Sequence, residues 1–208
     1  MDSLGRLAAG VKRFRQEIFP GRRAEYAVLA RKQRPDTLMI ACTDSRVEPL
    51  VLTQSGPGEI FVERNPGNLV PVHNYERVGV AASIEFAVDV LEVTNIVICG
   101  HSDCGAIKSL LQPAVQRKHP AVARWLEYGL PAVRRVAGDL GRAPGLQDLA
   151  ALTEANVLLQ MEHLRTHPCI ARRLGNGGPL NMIGWVFDIA TGQVRVYSEG
   201  TGRFNVWP

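Results

Sequence analysis

Ile96-Val-Ile-Cys-Gly-His-Ser-Asp-Cys-Gly105 reads as a short buried strand that runs into a tight loop and then a helix. Ile96, Val97 and Ile98 are apolar and β-branched, Gly100 and Gly105 permit unusual backbone angles, and Ala106 to Leu111 has helical character. The loop carries His101 and Cys104 at the strand's carboxyl end. A neutral imidazole and a thiolate at that spacing suit a zinc ion, but two ligands do not complete a site.

Working upstream, Thr37-Leu-Met-Ile-Ala-Cys42 is a continuous apolar run between turn signals, as expected of a strand buried on both faces. Glu59 to Arg64 reads as the next strand, entered through Gly56-Pro57-Gly58 and left through Asn65-Pro-Gly-Asn68. Asn74 to Leu91 presents a wide apolar helical face. Downstream, Lys118 to Leu140 is helical in pattern but broken at Gly129 and Pro131, and Leu146 to Arg165 is a long helix. A short helical piece, Ile170 to Leu174, follows, and Asn181 to Ile189 and Gln193 to Ser198 close the chain as a hairpin. At the start, Leu4, Leu7, Val11, Phe14 and Ile18 recur at helical spacing up to Pro20-Gly21, and a second helical piece covers Arg23 to Lys32. The expected fold is therefore α/β: a mostly parallel central sheet flanked by helices, with an antiparallel edge strand and an N-terminal helical arm. Residues 1–208 are expected to make a single domain with 1–20 as the arm.

With 46% apolar and 21% charged residues, the 208-residue chain has the composition of an ordinary globular domain. Its net charge of +4 is scattered, with no basic run of five, which argues against a nucleic-acid groove. No apolar stretch approaches the ~18 residues of a membrane span, and the first residues have too short an apolar run for a signal peptide. A cytoplasmic protein with reduced thiols is expected, so Cys42, Cys99, Cys104 and Cys169 favour metal binding or burial over a disulfide framework.

Parallel strands put their carboxyl ends on one edge, where such sheets bind ligands. Cys42 ends the first strand and can therefore meet His101 and Cys104. Singly, each fits a buried core residue; jointly, at two strand ends among glycines, they form a three-ligand zinc set of the catalytic type. Asp44 follows Cys42 by two residues, where a carboxylate can accept a hydrogen bond from metal-bound water, and Arg46 can hold that carboxylate with its planar fork. His73, His119, His163 and His167 read as surface or capping residues, Cys99 and Cys169 as core thiols, and Gly200-Thr-Gly202 as a turn.

The blocks Cys42-Thr-Asp-Ser-Arg46, Arg64-Asn-Pro-Gly-Asn68 and Gly100-His-Ser-Asp-Cys-Gly105 together resemble the β-class carbonic anhydrases, with a more diffuse similarity from Gln33 to the Gly184–Asp188 strand. The resemblance implies zinc held by Cys42, His101 and Cys104, and an Asp44–Arg46 dyad that aims a zinc-bound hydroxide at CO2 to give bicarbonate and a proton. It implies that Gln33 faces the substrate, and that Phe61, Pro66 and Phe86 line a narrow apolar pocket, partly from across a dimer interface. It also implies a homodimer or a dimer of dimers, and Asp44 as a fourth ligand in a closed state. Of a Trp, Arg and Tyr trio that forms an inhibitory bicarbonate site in some members, only Arg64 is retained; Met39 and Phe187 replace the others. That regulation is expected to be weak or absent. Hydrolysis of CS2 or COS on the same scaffold, and a non-catalytic zinc-binding module, are the alternative functions. Two thiolates donate more electron density than imidazoles, so activity is expected to rise toward alkaline pH.

Overall fold

The computed structural model describes residues 2–74 and 79–207. The chain forms two compact units, Met1–Arg34 and Pro35–Pro208.

In the first unit, Asp2 caps α1 (Ser3–Arg13) by accepting the Gly5 amide at 2.7 Å. The stop expected at Pro20-Gly21 does not occur. A π-helical turn, Phe14–Ile18, carries the chain directly into α2 (Phe19–Leu29). Proline has no amide to give to an α-helix, and the wider turn, closed by Phe19 N–H on the Phe14 carbonyl, ends just before it. Pro20 thus falls in the first turn of α2, where a missing amide costs least. The rings of Phe14, Phe19 and Tyr26 pack together at 5.3 to 6.1 Å. No residue of α1, the π-turn or α2 is buried, and Leu4, Leu7 and Val11 are 74%, 67% and 68% exposed.

The second unit is built on a six-stranded sheet of β1 (Thr37–Cys42), β2 (Ile60–Asn65), β3 (Asn95–His101), β4 (Asn181–Phe187), β5 (Val194–Ser198) and β6 (Arg203–Val206). Its order is β2-β1-β3-β4-β5-β6, with the first four parallel and the last two antiparallel. The α/β architecture is the one expected. β6 adds one strand beyond the expected hairpin; its residues Arg203-Phe-Asn-Val206 alternate polar and apolar, but over four positions only, the shortest run that signals a strand.

The helices are α3 (Pro49–Thr53), α4 (Gly79–Glu85), α5 (Gly105–Leu110), α6 (Pro113–Lys118), α7 (Pro120–Leu126), α8 (Leu130–Leu140), α9 (Leu149–Leu164) and α10 (Pro168–Gly175). The helix expected from Asn74 is seen as α4 and a π-turn, Phe86–Val90; residues 75–78 lie outside the described residues. No described helix is long and apolar enough to cross a membrane.

Alternation sorts the strand residues between two layers. Leu38, Ile40, Ile96 and Ile98 join the larger core with Ile84, Val157 and Ile170, while Met39, Ala41, Val97 and Cys99 pack on the other face with Trp185 and Phe187. Full burial of each such aliphatic side chain contributes about 1.5–3 kcal/mol. α9 lies close against the sheet because Gly100 offers no side chain: a Cβ there would stand 2.7 Å from Val157 Cγ2.

Of the histidines expected to be surface or capping residues, His167 does stand at the N-cap of α10, but neither it nor His163 is at the surface. His163 and His167 are 8% and 2% exposed, and their rings bond the carbonyls of Val70 at 2.7 Å and Pro71 at 3.0 Å. They fasten the segment after β2 to α9 and α10, a tertiary role that no local pattern announces. Burial lowers the pKa of both below the ordinary histidine value. A buried neutral histidine resists protonation in the folded state only, so its stability contribution is present above about pH 6.5 and is lost as pH falls below it. Thermal unfolding measured from neutral to mildly acidic pH is expected to shift to lower temperature, with a smaller shift in His167→Gln; an equal shift in that variant excludes His167 as a cause.

Candidate metal centre and catalytic dyad

β1 is followed by β2 on one side of it and by β3 on the other, so the chain changes direction across the sheet between β1 and β3. The crevice at the carboxyl ends of two such strands is where open α/β sheets bind ligands. Cys42 ends β1 and His101 ends β3, with Cys104 one short turn beyond.

The Cys42 and Cys104 sulfurs lie 3.9 Å apart, and with a His101 ring nitrogen all three donors fall within 4.8 Å of one another. Two sulfurs bound to tetrahedral zinc at ~2.3 Å would stand about 3.8 Å apart. His101 is fully buried; its Nδ1 lies 2.9 Å from the Ser102 carbonyl, which fixes the tautomer with Nδ1–H donating. Nε2 is then a bare acceptor, buried and without a hydrogen-bond partner among the described residues. An orphaned imidazole nitrogen facing two thiols is unfavourable alone and suited to a borderline-soft cation, so these residues fit zinc.

The surroundings of Cys42 favour its deprotonated form. Its pKa is pushed well below the thiol range, first by the hydrogen bond with Cys104 and then by the amides of Gly67 and Asp44. Those amides reach its sulfur at 3.3 and 3.4 Å. Gly67 has φ +82°, and a Cβ on it would stand 3.2 Å from Ala106 Cβ, so the approach needs glycine. The loop is held from below by α9: Asn156 donates to the Gly67 carbonyl at 3.2 Å, and Gln160 accepts the Val70 amide at 2.8 Å. Cys99, by contrast, is fully buried and its thiol is pushed up to about 12 by desolvation, as befits a core residue.

Asp44 and Arg46 pair within the turn after β1. Asp44 Oδ1 accepts the Arg46 backbone amide at 3.0 Å and Nε at 2.9 Å, and Oδ2 accepts Nη2 at 2.8 Å. These bonds hold the Asp44 carboxyl far below the usual carboxylate range. Oδ2 also lies 3.9 Å from His101 Nε2, which puts the carboxylate beside the metal position. Arg64 braces the turn beneath, donating to the carbonyls of Cys42, Asp44 and Val47 at 3.1, 2.9 and 2.7 Å.

The remaining expected site residues are Pro66, Phe61, Phe86 and Gln33. Pro66 adjoins the site through Gly67, and its carbonyl accepts Trp125 Nε1 at 2.8 Å. Phe61 pairs in register with Leu38, four residues before Cys42, which is ~13 Å along a strand. It stacks on Phe86 at 5.9 Å between centroids, so one chain does not bring that pair to the zinc ligands. Gln33 is exposed and belongs to the first unit. Met39 and Phe187 sit together in apolar packing, while Arg64 faces carbonyls and Glu48.

Three protein donors in a switch-point crevice, beside a carboxylate held by arginine, define a zinc-dependent α/β enzyme. A family profile described as carbonic anhydrase matches residues 37–194. A carbonic anhydrase of Pseudomonas aeruginosa is 45% identical over 195 residues, covering 94% of this chain and 88% of its own. The solved β-carbonic anhydrase CcaA superposes with TM-score 0.94 at 35% identity, over 99% of this chain and 92% of that one. Two tetrameric β-carbonic anhydrases of Sordaria macrospora are also similar, with TM-score 0.74, 29% identity and 93% of each chain covered.

The chain belongs to the β-carbonic anhydrase family. It is a carbonic anhydrase, with zinc as cofactor and reversible hydration of CO2 to bicarbonate and a proton as its reaction.

Proposed function

We propose that Cys42, His101 and Cys104 hold the zinc, that Asp44 orients the attacking oxygen, and that Arg46 fixes Asp44 in that pose. The observation that carries this reading is the position of Asp44 Oδ2, bonded to Arg46 on one side and 3.9 Å from the bare His101 Nε2 on the other. Bound zinc supplies a Lewis acid that makes water nucleophilic near neutral pH. Asp44, kept ionised by Arg46, accepts a hydrogen bond from the nucleophile and so turns a lone pair toward carbon. Gln33 donates to a substrate oxygen, and Pro66 contributes to the apolar wall.

Phe61 and Phe86 complete that wall from a second copy of the chain, so the working unit is a homodimer or a dimer of dimers. In support, Phe86 is 42% exposed, the apolar residues of α1 are uncovered, and the Sordaria relatives are tetrameric. Released from Arg46, Asp44 would reach the metal position and close the site. Four free cysteines suit a reducing cytoplasm. With Met39 and Phe187 apolar and Arg64 engaged, inhibition by bicarbonate bound at these residues is expected to be weak or absent.

The test is stopped-flow CO2 hydration between about pH 6.5 and 9, on zinc-loaded and zinc-depleted protein. Zinc-dependent turnover that rises with pH is expected, because the nucleophile is the deprotonated form. A flat profile removes the thiolate argument, and turnover of CS2 or COS with none of CO2 overturns the reading.

A further inference from the structure

The Asp44–Arg46 pair does not stand alone. Arg46 is an exposed side chain, and a long guanidinium at the surface keeps considerable rotamer freedom unless a second group fixes its plane. Asp103 is placed to do that. Its Oδ2 accepts Arg46 Nη1 at 3.1 Å and its backbone carbonyl accepts Nη2 at 3.2 Å. The carbonyl points there because Asp103 adopts φ +60°, a left-handed conformation that aspartate tolerates better than most side chains. Its other oxygen, Oδ1, is paired with Lys108 of α5.

The two carboxylates do not compete. Asp44 takes Nε and one Nη2 proton, whereas Asp103 takes Nη1 and the other Nη2 position, within the five donors of a guanidinium. Arg46 is therefore spanned from both sides: Asp44 on the metal side, Asp103 and behind it Lys108 on the solvent side.

We propose that Asp103 is a positioning residue for CO2 hydration, holding Arg46 in the plane that keeps Asp44 aimed at the nucleophile, with Lys108 anchoring Asp103 in turn. This rests on the dyad reading above and adds to it the third and fourth members of a chain Lys108–Asp103–Arg46–Asp44. An ordinary surface ion pair between Arg46 and Asp103 would add little to stability and nothing to rate, so the two roles separate by experiment.

The experiment compares kcat/KM for CO2 hydration in four zinc-loaded enzymes: the parent, Asp103→Asn, Asp44→Asn and the double variant. Asparagine also tolerates positive φ, so Asp103→Asn removes the charge and keeps the turn. We expect Asp103→Asn to lower kcat/KM about fivefold in the parent and to leave the Asp44→Asn enzyme unchanged, the coupling expected of groups that act through one another. Nitrogen-15 NMR of the Arg46 side chain in the loaded enzyme is expected to show faster guanidinium rotation in Asp103→Asn at equal zinc content. No loss in the parent, or an equal loss in both backgrounds, overturns the proposal. An Asp44→Asn enzyme as active as the parent overturns the dyad reading instead. Lys108→Gln is expected to shift rate and rotation in the same direction by less, and serves as the test if Asp103→Asn does not fold; no shift in it then overturns the proposal.

Discussion

Cys42→Ser is expected to lose its zinc and with it at least ~10³-fold of CO2 hydration. The serine hydroxyl is nearly isosteric with the thiol but has no accessible anion at neutral pH, and zinc needs the deprotonated donor. The loss goes beyond one ligand. The Cys42 sulfur also accepts the amides of Asp44 and Gly67, so it ties the dyad turn and the loop after β2 to the metal position. A shorter, harder oxygen at that point weakens both ties. Because Cys42 ends a strand already paired with β2 and β3, the sheet is expected to survive, and circular dichroism should match the parent. Metal analysis with stopped-flow hydration decides the matter: a variant that keeps full zinc and parental turnover removes Cys42 from the ligand set.

Arg46→Ala produces a different defect. Zinc stays bound, but Asp44 keeps only the backbone amide of residue 46 and loses the Nε and Nη2 bonds. Its Oδ2 already lies 3.9 Å from His101 Nε2, so the freed carboxylate turns toward the metal position instead of toward a nucleophile. The side-chain bonds from Arg46 are the largest cause of the depressed Asp44 pKa, so the carboxyl returns toward its ordinary range. Hydration is expected to fall about 10²-fold near neutral pH with zinc content unchanged. Arg46→Lys should not restore it, since an ammonium keeps the charge but cannot span both carboxylate oxygens. Recovery by lysine would mean that Arg46 acts by charge alone.

The metal centre was legible in the sequence because zinc admits few donor types and a parallel sheet admits few places to gather them. Cys42 and His101–Cys104 stand where those two limits overlap. The dyad was legible because Asp44 and Arg46 are two residues apart and pair within one turn. What surrounds them was not. Gly67 meets Asn156 across 89 positions of sequence and Val70 meets Gln160 across 90, and nothing local to Asn156 marks it as the support of a loop. Asp103 carries no signal beyond being an aspartate in a turn, because its role depends on where Arg46 arrives. The passage of a helix through Pro20 depends on a π-turn that apolar spacing does not encode. The separation of Phe61 and Phe86 from the zinc ligands follows from strand register, which fixes distance along β2 as firmly as it fixes face.

The two sulfurs come from positions 62 residues apart, yet it is backbone pairing that brings them together. Closing a loop of that length from a random chain costs about 4 kcal/mol of entropy. In a small zinc finger the ion itself must overcome such a cost, and metal-free chains stay unfolded. Here β1 and β3 pair over Thr37 to Ala41, so backbone pairing and not the ion offsets that cost. The newly made chain can complete its sheet first and acquire its metal afterwards, as a finished receptor whose occupancy follows the zinc supply around it.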